Sequence, residues 1–79
     1  MLKEILLFGG ETLRPNMKAE RARRDLTLQE VAASIGVDPQ TVGKWERGVL
    51  DPNWKYVVRL CALFGCNAEY LMSEVTQTN

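Results

Sequence analysis

The sequence has no histidine and only two cysteines, Cys61 and Cys66, among its 79 residues. Structural and catalytic metal sites usually need several Cys or His ligands, and this pair lies among apolar residues without such companions. We therefore expect buried, reduced thiols, no metal site and no cofactor. The sequence also lacks a glycine-rich phosphate loop and any nucleophile–base pair that could be proposed without histidine. These absences argue against an enzyme.

Long apolar runs are missing too. The apolar stretch Ile5–Phe8 has about four residues, against roughly 20 for a membrane span and roughly 7–15 for the core of a signal peptide. We therefore expect a cytoplasmic protein. An excess of positive charge is also missing, because ten Lys and Arg balance ten Asp and Glu. Arg14–Arg24 is nevertheless basic, and this segment could face phosphate or simply water.

Capping residues and apolar residues at three- and four-residue spacing predict five short helices. Their expected ranges are Asn16–Arg24, Leu28–Ile35, Pro39–Arg47, Trp54–Phe64 and Ala68–Met72. Their expected N-caps are Asn16, Thr27, Asp38, Asn53 and Asn67, and Thr27 should form a capping box with Glu30. The expected inner face of the fourth helix is Val57, Val58, Leu60, Cys61 and Phe64. No strand is expected in residues 16–72, so the sequence predicts an all-α fold.

The chain divides into three parts on this basis. Residues 1–15 are an N-terminal extension of uncertain structure, residues 16–72 form the helical domain, and residues 73–79 are a C-terminal tail, whose last four residues, TQTN, we expect to be frayed. The role of the apolar stretch Ile5–Phe8 stays open at this point. It could bind a protein partner, act as a dimerisation arm or fold back as additional core.

The third helix carries a polar stripe. At 100° per residue, one side of this helix collects Gln40, Gly43, Lys44 and Arg47, while Val42 and Trp45 lie opposite and should anchor it in the core. The stripe could face only solvent, as the polar side of any amphipathic helix does. It also suits the major groove of B-DNA, where Gln pairs with adenine and Lys donates to guanine. The N-terminus of the second helix, Thr27–Gln29, could offer backbone N–H groups to a phosphate.

The stretch LTLQEVAASIGVDPQTVGKWERG, residues 26–48, resembles the lambda-repressor/Cro family of helix-turn-helix domains, also called the Xre family. The resemblance continues through residues 51–72 and covers about residues 16–72 in all. It implies a compact five-helix, lambda-repressor-like DNA-binding domain, here with an extra N-terminal segment. It also implies a transcriptional repressor that binds a palindromic operator in double-stranded DNA as a homodimer. An alternative is an antitoxin-like protein whose main partner is another protein and which represses its own operon.

The resemblance also implies roles for individual residues. The expected base-reading residues are Gln40, Thr41 and Lys44. The expected contacts to the DNA backbone are Thr27, Gln29, Gly43 and Arg47. Arg21 and Glu46 match a buried ion pair that links the first and third helices. Three departures stand out. Leu28 replaces a Gln that often clamps a phosphate in the family, and Arg24 occupies a usually apolar position. Gly43 lies in the middle of the polar stripe and has no side chain with which to read a base.

Overall fold

The computed structural model describes residues 11–77, which form five helices and two short strands. In chain order these are β1 (Glu11–Leu13), α1 (Pro15–Arg23), α2 (Leu28–Ile35), α3 (Pro39–Glu46), α4 (Trp54–Phe64), α5 (Ala68–Leu71) and β2 (Val75–Gln77). The five predicted helices are present, and the helical domain has the all-α fold that the sequence predicts. The question of how Ile5–Phe8 folds lies outside the described residues.

The turn between α2 and α3 is built from local capping interactions. The backbone N–H of Thr27 donates to Glu30 Oε1 over 2.8 Å, and the Glu30 N–H donates to Thr27 Oγ1 over 3.1 Å, so the capping box forms. Gly36 ends α2 in the left-handed conformation at φ 84°, which glycine adopts without a steric penalty. Asp38 then accepts the N–H of Gln40 over 2.8 Å and starts α3. These contacts fix the angle at which α3 leaves α2.

The start of α1 differs from the prediction. The helix begins at Pro15, its N-cap is Arg14 without a side-chain cap bond, and Asn16 lies inside the first turn. Proline presets φ and needs no N–H acceptor at the first helical position, so the helix begins before the asparagine. The Asn16 Nδ2 instead donates to the carbonyl oxygen of Tyr70 over 2.9 Å. Asn16 therefore links α1 to α5.

One core joins the five helices. Its buried side chains are Met17, Val31, Ala32, Ile35, Val42, Trp45, Leu60, Phe64 and Leu71. The prediction for α4 is right for Val57, Leu60 and Phe64, and Cys61 is half-buried, but it is wrong for Val58, which is 48% exposed. Val58 lies one turn after Trp54, which is 69% exposed, so both side chains share the outer face of the helix.

The segments on either side of the helical domain pair with each other. Strands β1 and β2 are antiparallel, with Leu13 opposite Val75 and Glu11 opposite Gln77. The expectation of a frayed TQTN segment is therefore wrong for Thr76 and Gln77, which pair with β1. The backbone groups of this segment find partners in β1, which the sequence of the tail alone does not reveal.

Arg14 connects β1 to the end of α3. Its side chain is only 1% exposed, and its Nη1 donates to the carbonyl oxygens of Trp45 over 2.6 Å and Leu50 over 3.0 Å. Its Nη2 pairs with the carboxylates of Asp51 and Glu74. Carbonyls in the last turn of a helix have no partner within the helix. The guanidinium therefore completes the C-terminal end of α3 and fixes its position.

Candidate nucleic-acid interface

The outer face of α3 is polar and its inner face is apolar. Gln40 and Lys44 are exposed and Thr41 is half-buried. Val42 and Trp45 are 1% and 2% exposed. The Trp45 ring also lies 5.7 Å from the ring of Tyr56 on α4. Because large side chains hold one side of the helix in the core, the opposite side is presented to solvent in a fixed orientation.

Arg21 and Glu46 form an ion pair between α1 and α3. Arg21 Nε lies 2.7 Å from Glu46 Oε2, and Arg21 Nη2 lies 3.2 Å from Oε1, so the contact is bidentate. The hydrogen bond with the carboxylate raises the pKa of Arg21. The remaining Arg21 Nη1 donates to the carbonyl oxygen of Leu26 over 2.9 Å. The guanidinium is therefore engaged in holding the two helices together.

The N-terminus of α2 lies beside α3. Thr27 and Gln29 are exposed, whereas Leu28 is half-buried. Thr27 Oγ1 accepts the N–H of Glu30, which leaves its hydroxyl proton available to donate to another acceptor. Leu28 supplies an apolar contact at this place instead of the amide that the family often carries.

Gly43 is covered by side chains of its own chain. A Cβ placed on Gly43 would lie 3.2 Å from Arg47 Nη1 and 3.6 Å from Leu28 Cδ1. The missing side chain therefore makes room for the guanidinium of Arg47, which folds back over the preceding turn. This arrangement leaves Gly43 little surface of its own to meet a DNA backbone.

Two depressions flank this part of α3. The first has a volume of about 390 Å³ and is lined by Gln40, Lys44 and Arg47 among others. The second has a volume of about 380 Å³, and its lining includes Arg47 and also Lys18 of α1. The sequence prediction did not include Lys18 among the site residues. The basic character of Arg14–Arg24 was the signal that could have identified it.

Arg23 and Arg24 of this basic segment both pair with Glu20, which is 4% exposed. Its carboxylate oxygens lie 2.7 Å from Arg24 Nη1 and 2.9 Å from Arg23 Nη1, and Oε2 accepts the Tyr70 hydroxyl over 2.8 Å. The hydrogen bond from Arg24, followed by that from Tyr70, lowers the pKa of Glu20. Arg24 also lies 5.3 Å from the centre of the Phe64 ring. The polar residue at this usually apolar position therefore bridges α1 and α4.

No helix among residues 11–77 is long and apolar enough to cross a membrane.

Comparisons with known proteins agree with this geometry. The family model described as Helix-turn-helix matches residues 17–71. An uncharacterized HTH-type transcriptional regulator of Methanocaldococcus jannaschii is 32% identical over 57 residues, which cover 72% of this chain and 86% of that protein. The solution structure of an SOS-response transcriptional repressor, LexA, from Eubacterium rectale has a TM-score of 0.70 and 33% identity. The similarity covers 76% of this chain and 64% of that one.

The matched region includes every helix of the domain except the first two residues of α1. The resemblance to the lambda-repressor type is thereby confirmed. The family and its curated relative are DNA-binding regulators and not enzymes. The chain belongs to the helix-turn-helix family of the lambda-repressor (Xre) type and is a DNA-binding transcriptional regulator.

Proposed function

We propose that this protein is a sequence-specific repressor that binds a palindromic operator in double-stranded DNA as a homodimer. The observation that supports this most directly is the two-sided structure of α3. Gln40 and Lys44 are exposed on one side, while Val42 and Trp45 are almost fully buried on the other. A helix held in this way can enter the major groove with its polar side leading.

Each residue of this face has a proposed role. Gln40 makes paired hydrogen bonds with adenine, Lys44 donates to guanine, and Thr41 contacts the neighbouring base. Each correct contact contributes about 1–3 kcal/mol of discrimination against the wrong base. Thr27 and Gln29 hold the DNA backbone through the N-terminus of α2, with its unpaired N–H groups.

A palindromic operator has two equal half-sites, one for each copy of the domain in a homodimer. In a helix-turn-helix dimer the two reading helices lie about 34 Å apart, one turn of DNA, so that both enter the major groove on the same side. The similarity to the LexA structure supports a repressor, since that protein is described as a transcriptional repressor. The antitoxin-like alternative has no support from the two relatives, whose names refer to transcription.

Selection of bound sequences from a pool of random DNA duplexes tests this proposal. We expect the wild-type protein to enrich a palindrome. Gln40→Ala and Lys44→Ala should each lose the preference at one base position per half-site, at unchanged thermal stability. Lys55→Ala is the matched control, because Lys55 is an exposed lysine on α4 that lines neither depression beside α3. Binding that weakens with salt but enriches no sequence would refute sequence-specific repression.

A further inference from the structure

The two cysteines of the chain meet at the end of α4. Cys61 lies in the last turn of this helix, and Cys66 follows Gly65, which ends the helix in the left-handed conformation at φ 66°. The backbone N–H groups of Gly65 and Cys66 both donate to the carbonyl oxygen of Cys61, over 2.8 Å and 3.2 Å. The chain therefore folds back at Gly65 and brings Cys66 against Cys61.

The side chains of Cys61 and Cys66 share one environment. Both are free thiols, both are half-buried, and both pack against the hydrophobic core. Burial raises the pKa of both thiols, and each thiol also shifts the pKa of the other, so the two sulfur atoms are close. A disulfide needs neighbouring Cα atoms and side chains that approach each other. The backbone hydrogen bond provides the first condition and the proximity of the thiols provides the second.

Cys66 is the more accessible of the two cysteines. It lines an open depression of about 510 Å³ together with Arg24, Phe64 and Tyr70 among others, and Cys61 does not belong to this lining. The charge of Glu20 raises the pKa of the Cys66 thiol further after burial, whereas the charge of Arg24 lowers it. A dissolved reagent therefore meets Cys66 first, at a thiol that is not activated by its surroundings. What distinguishes this pair is its proximity and not its acidity.

We propose that Cys61 and Cys66 are a redox site that forms a reversible intramolecular disulfide by exchange with a small disulfide such as oxidised glutathione. The Cys66 thiolate attacks one sulfur of the small disulfide, whose S–S bond breaks, and the released thiolate takes up the proton that Cys66 lost. Cys61 then loses its proton and attacks the Cys66 sulfur. The mixed disulfide breaks, and the second small thiol leaves with that proton. The protein is oxidised by two electrons, and the small disulfide is reduced to two thiols.

The disulfide joins the end of α4 to the start of α5. Cys66 directly precedes Asn67, whose Oδ1 accepts the N–H of Tyr70 over 2.8 Å and caps α5. A cross-link restricts the unfolded chain and so favours the folded state. By the same thermodynamic cycle, the folded state favours the disulfide by an equal factor. The site contains no residue of α3 or of the N-terminus of α2 and does not depend on the proposed function.

The test measures the thiol–disulfide equilibrium of the full-length wild type in glutathione buffers, once under native conditions and once in concentrated urea. Free thiols are alkylated, and mass spectrometry counts the disulfides. We expect a monomeric product that is lighter by two hydrogen atoms, with an equilibrium constant roughly tenfold or more larger in the folded protein than in urea. The oxidised protein should also melt about 5 °C or more above the reduced protein. Equal equilibrium constants, or disulfides between chains, would overturn the proposal.

Single variants test the order of the two steps. Cys61→Ala should accumulate a mixed disulfide of glutathione with Cys66, because the second thiol that would displace glutathione is absent. Cys66→Ala, which keeps only the less accessible Cys61, is the matched variant and should react several-fold more slowly. The melting temperatures of both reduced variants report whether each is folded under the conditions of the reaction. Equal rates in two folded variants would show that Cys66 is not the first residue to be attacked.

Discussion

The backbone N–H of Arg14 donates to the carbonyl oxygen of Glu46 over 2.9 Å, directly before α1 and at the last residue of α3. The guanidinium of the same arginine donates a hydrogen bond to the neighbouring carbonyl oxygen of Trp45. A residue outside the helix-turn-helix motif thus completes the end of α3.

Arg14→Ala should destabilise the protein by roughly 2–4 kcal/mol, because it removes a buried side chain together with its hydrogen bonds to the carbonyl oxygens of Trp45 and Leu50. The free energy of unfolding in urea measures this effect. Lys18→Ala is the control, since an exposed side chain in the same segment should change stability by less than about 0.5 kcal/mol. Equal stabilities of the two variants would show that Arg14 does not hold α3.

Glu46→Gln should cost about 3–5 kcal/mol, because the change leaves the largely buried guanidinium of Arg21 without its counterion. The double variant Arg21→Met/Glu46→Leu should recover part of this loss, since it removes both charges and keeps an apolar filling. A double-mutant cycle of Arg21→Met, Glu46→Leu and the double variant, followed by chemical denaturation, measures the coupling. Strictly additive losses would contradict a direct interaction between the two side chains.

Glu20 should make stability depend on acid pH. Its pKa is lowered in the folded protein, first by the hydrogen bond from Arg24 and then by that from Tyr70. A lowered pKa means that the carboxylate stabilises the fold above its ordinary pKa and loses this contribution as the pH falls through the folded value. Glu20→Gln should therefore lower the melting temperature at about pH 7 and have little effect at about pH 2.

The control for this experiment is Glu69→Gln. Glu69 is exposed, and none of its side-chain contacts among residues 11–77 is an ion pair. We expect the melting temperature of Glu69→Gln to differ little from that of the wild type at either pH. A Glu20→Gln difference that is the same at neutral and acid pH would contradict the role assigned to its charge.

Gly43→Ala should raise stability and lower DNA affinity at the same time. Alanine in a helix interior is favoured over glycine by roughly 0.5–1 kcal/mol, and the flexible guanidinium of Arg47, 3.2 Å from the new Cβ, can move aside. That movement takes the Arg47 charge away from the depressions beside α3 that it lines. Thermal unfolding and DNA titration measure the two effects.

The variant pair Arg47→Ala and Gly43→Ala/Arg47→Ala tests the cause. Once Arg47 is absent, the added methyl group has no guanidinium to displace, so DNA affinity should be the same in both proteins. A further loss of affinity in the double variant would show that Gly43 acts on DNA by another route.

The parts of the fold that local chemistry determines could be predicted from the sequence. The capping box of Thr27 and Glu30 and the left-handed Gly36 define α2, and both follow from residues at most a few positions apart. The partner of the Asn16 side chain could not be predicted in this way, because it is the carbonyl oxygen of Tyr70, 54 residues further along the chain. Pairing of β1 with β2 escaped prediction for the same reason, since its partners are separated by the whole helical domain.

The candidate site shows a similar division. Helical spacing places Gln40 and Lys44 on the exposed side of α3, and the structure agrees. The surroundings of Gly43 depend on how α2 crosses α3, which spacing along a single helix does not contain. Lys18 lies beside Arg47 only because α1 packs against α3. Composition could therefore indicate a basic segment but could not identify Lys18 as the residue that lines this depression.

The ribbon of β1 and β2 brings distant parts of the chain side by side, with Glu11 opposite Gln77. Arg14 follows β1 directly and is bonded both to the end of α3 and to Glu74, just before β2. Arg14 therefore joins the ribbon to the last turn of α3 through both its backbone N–H and its guanidinium. Both ends of the described chain are thereby connected to the C-terminal end of α3.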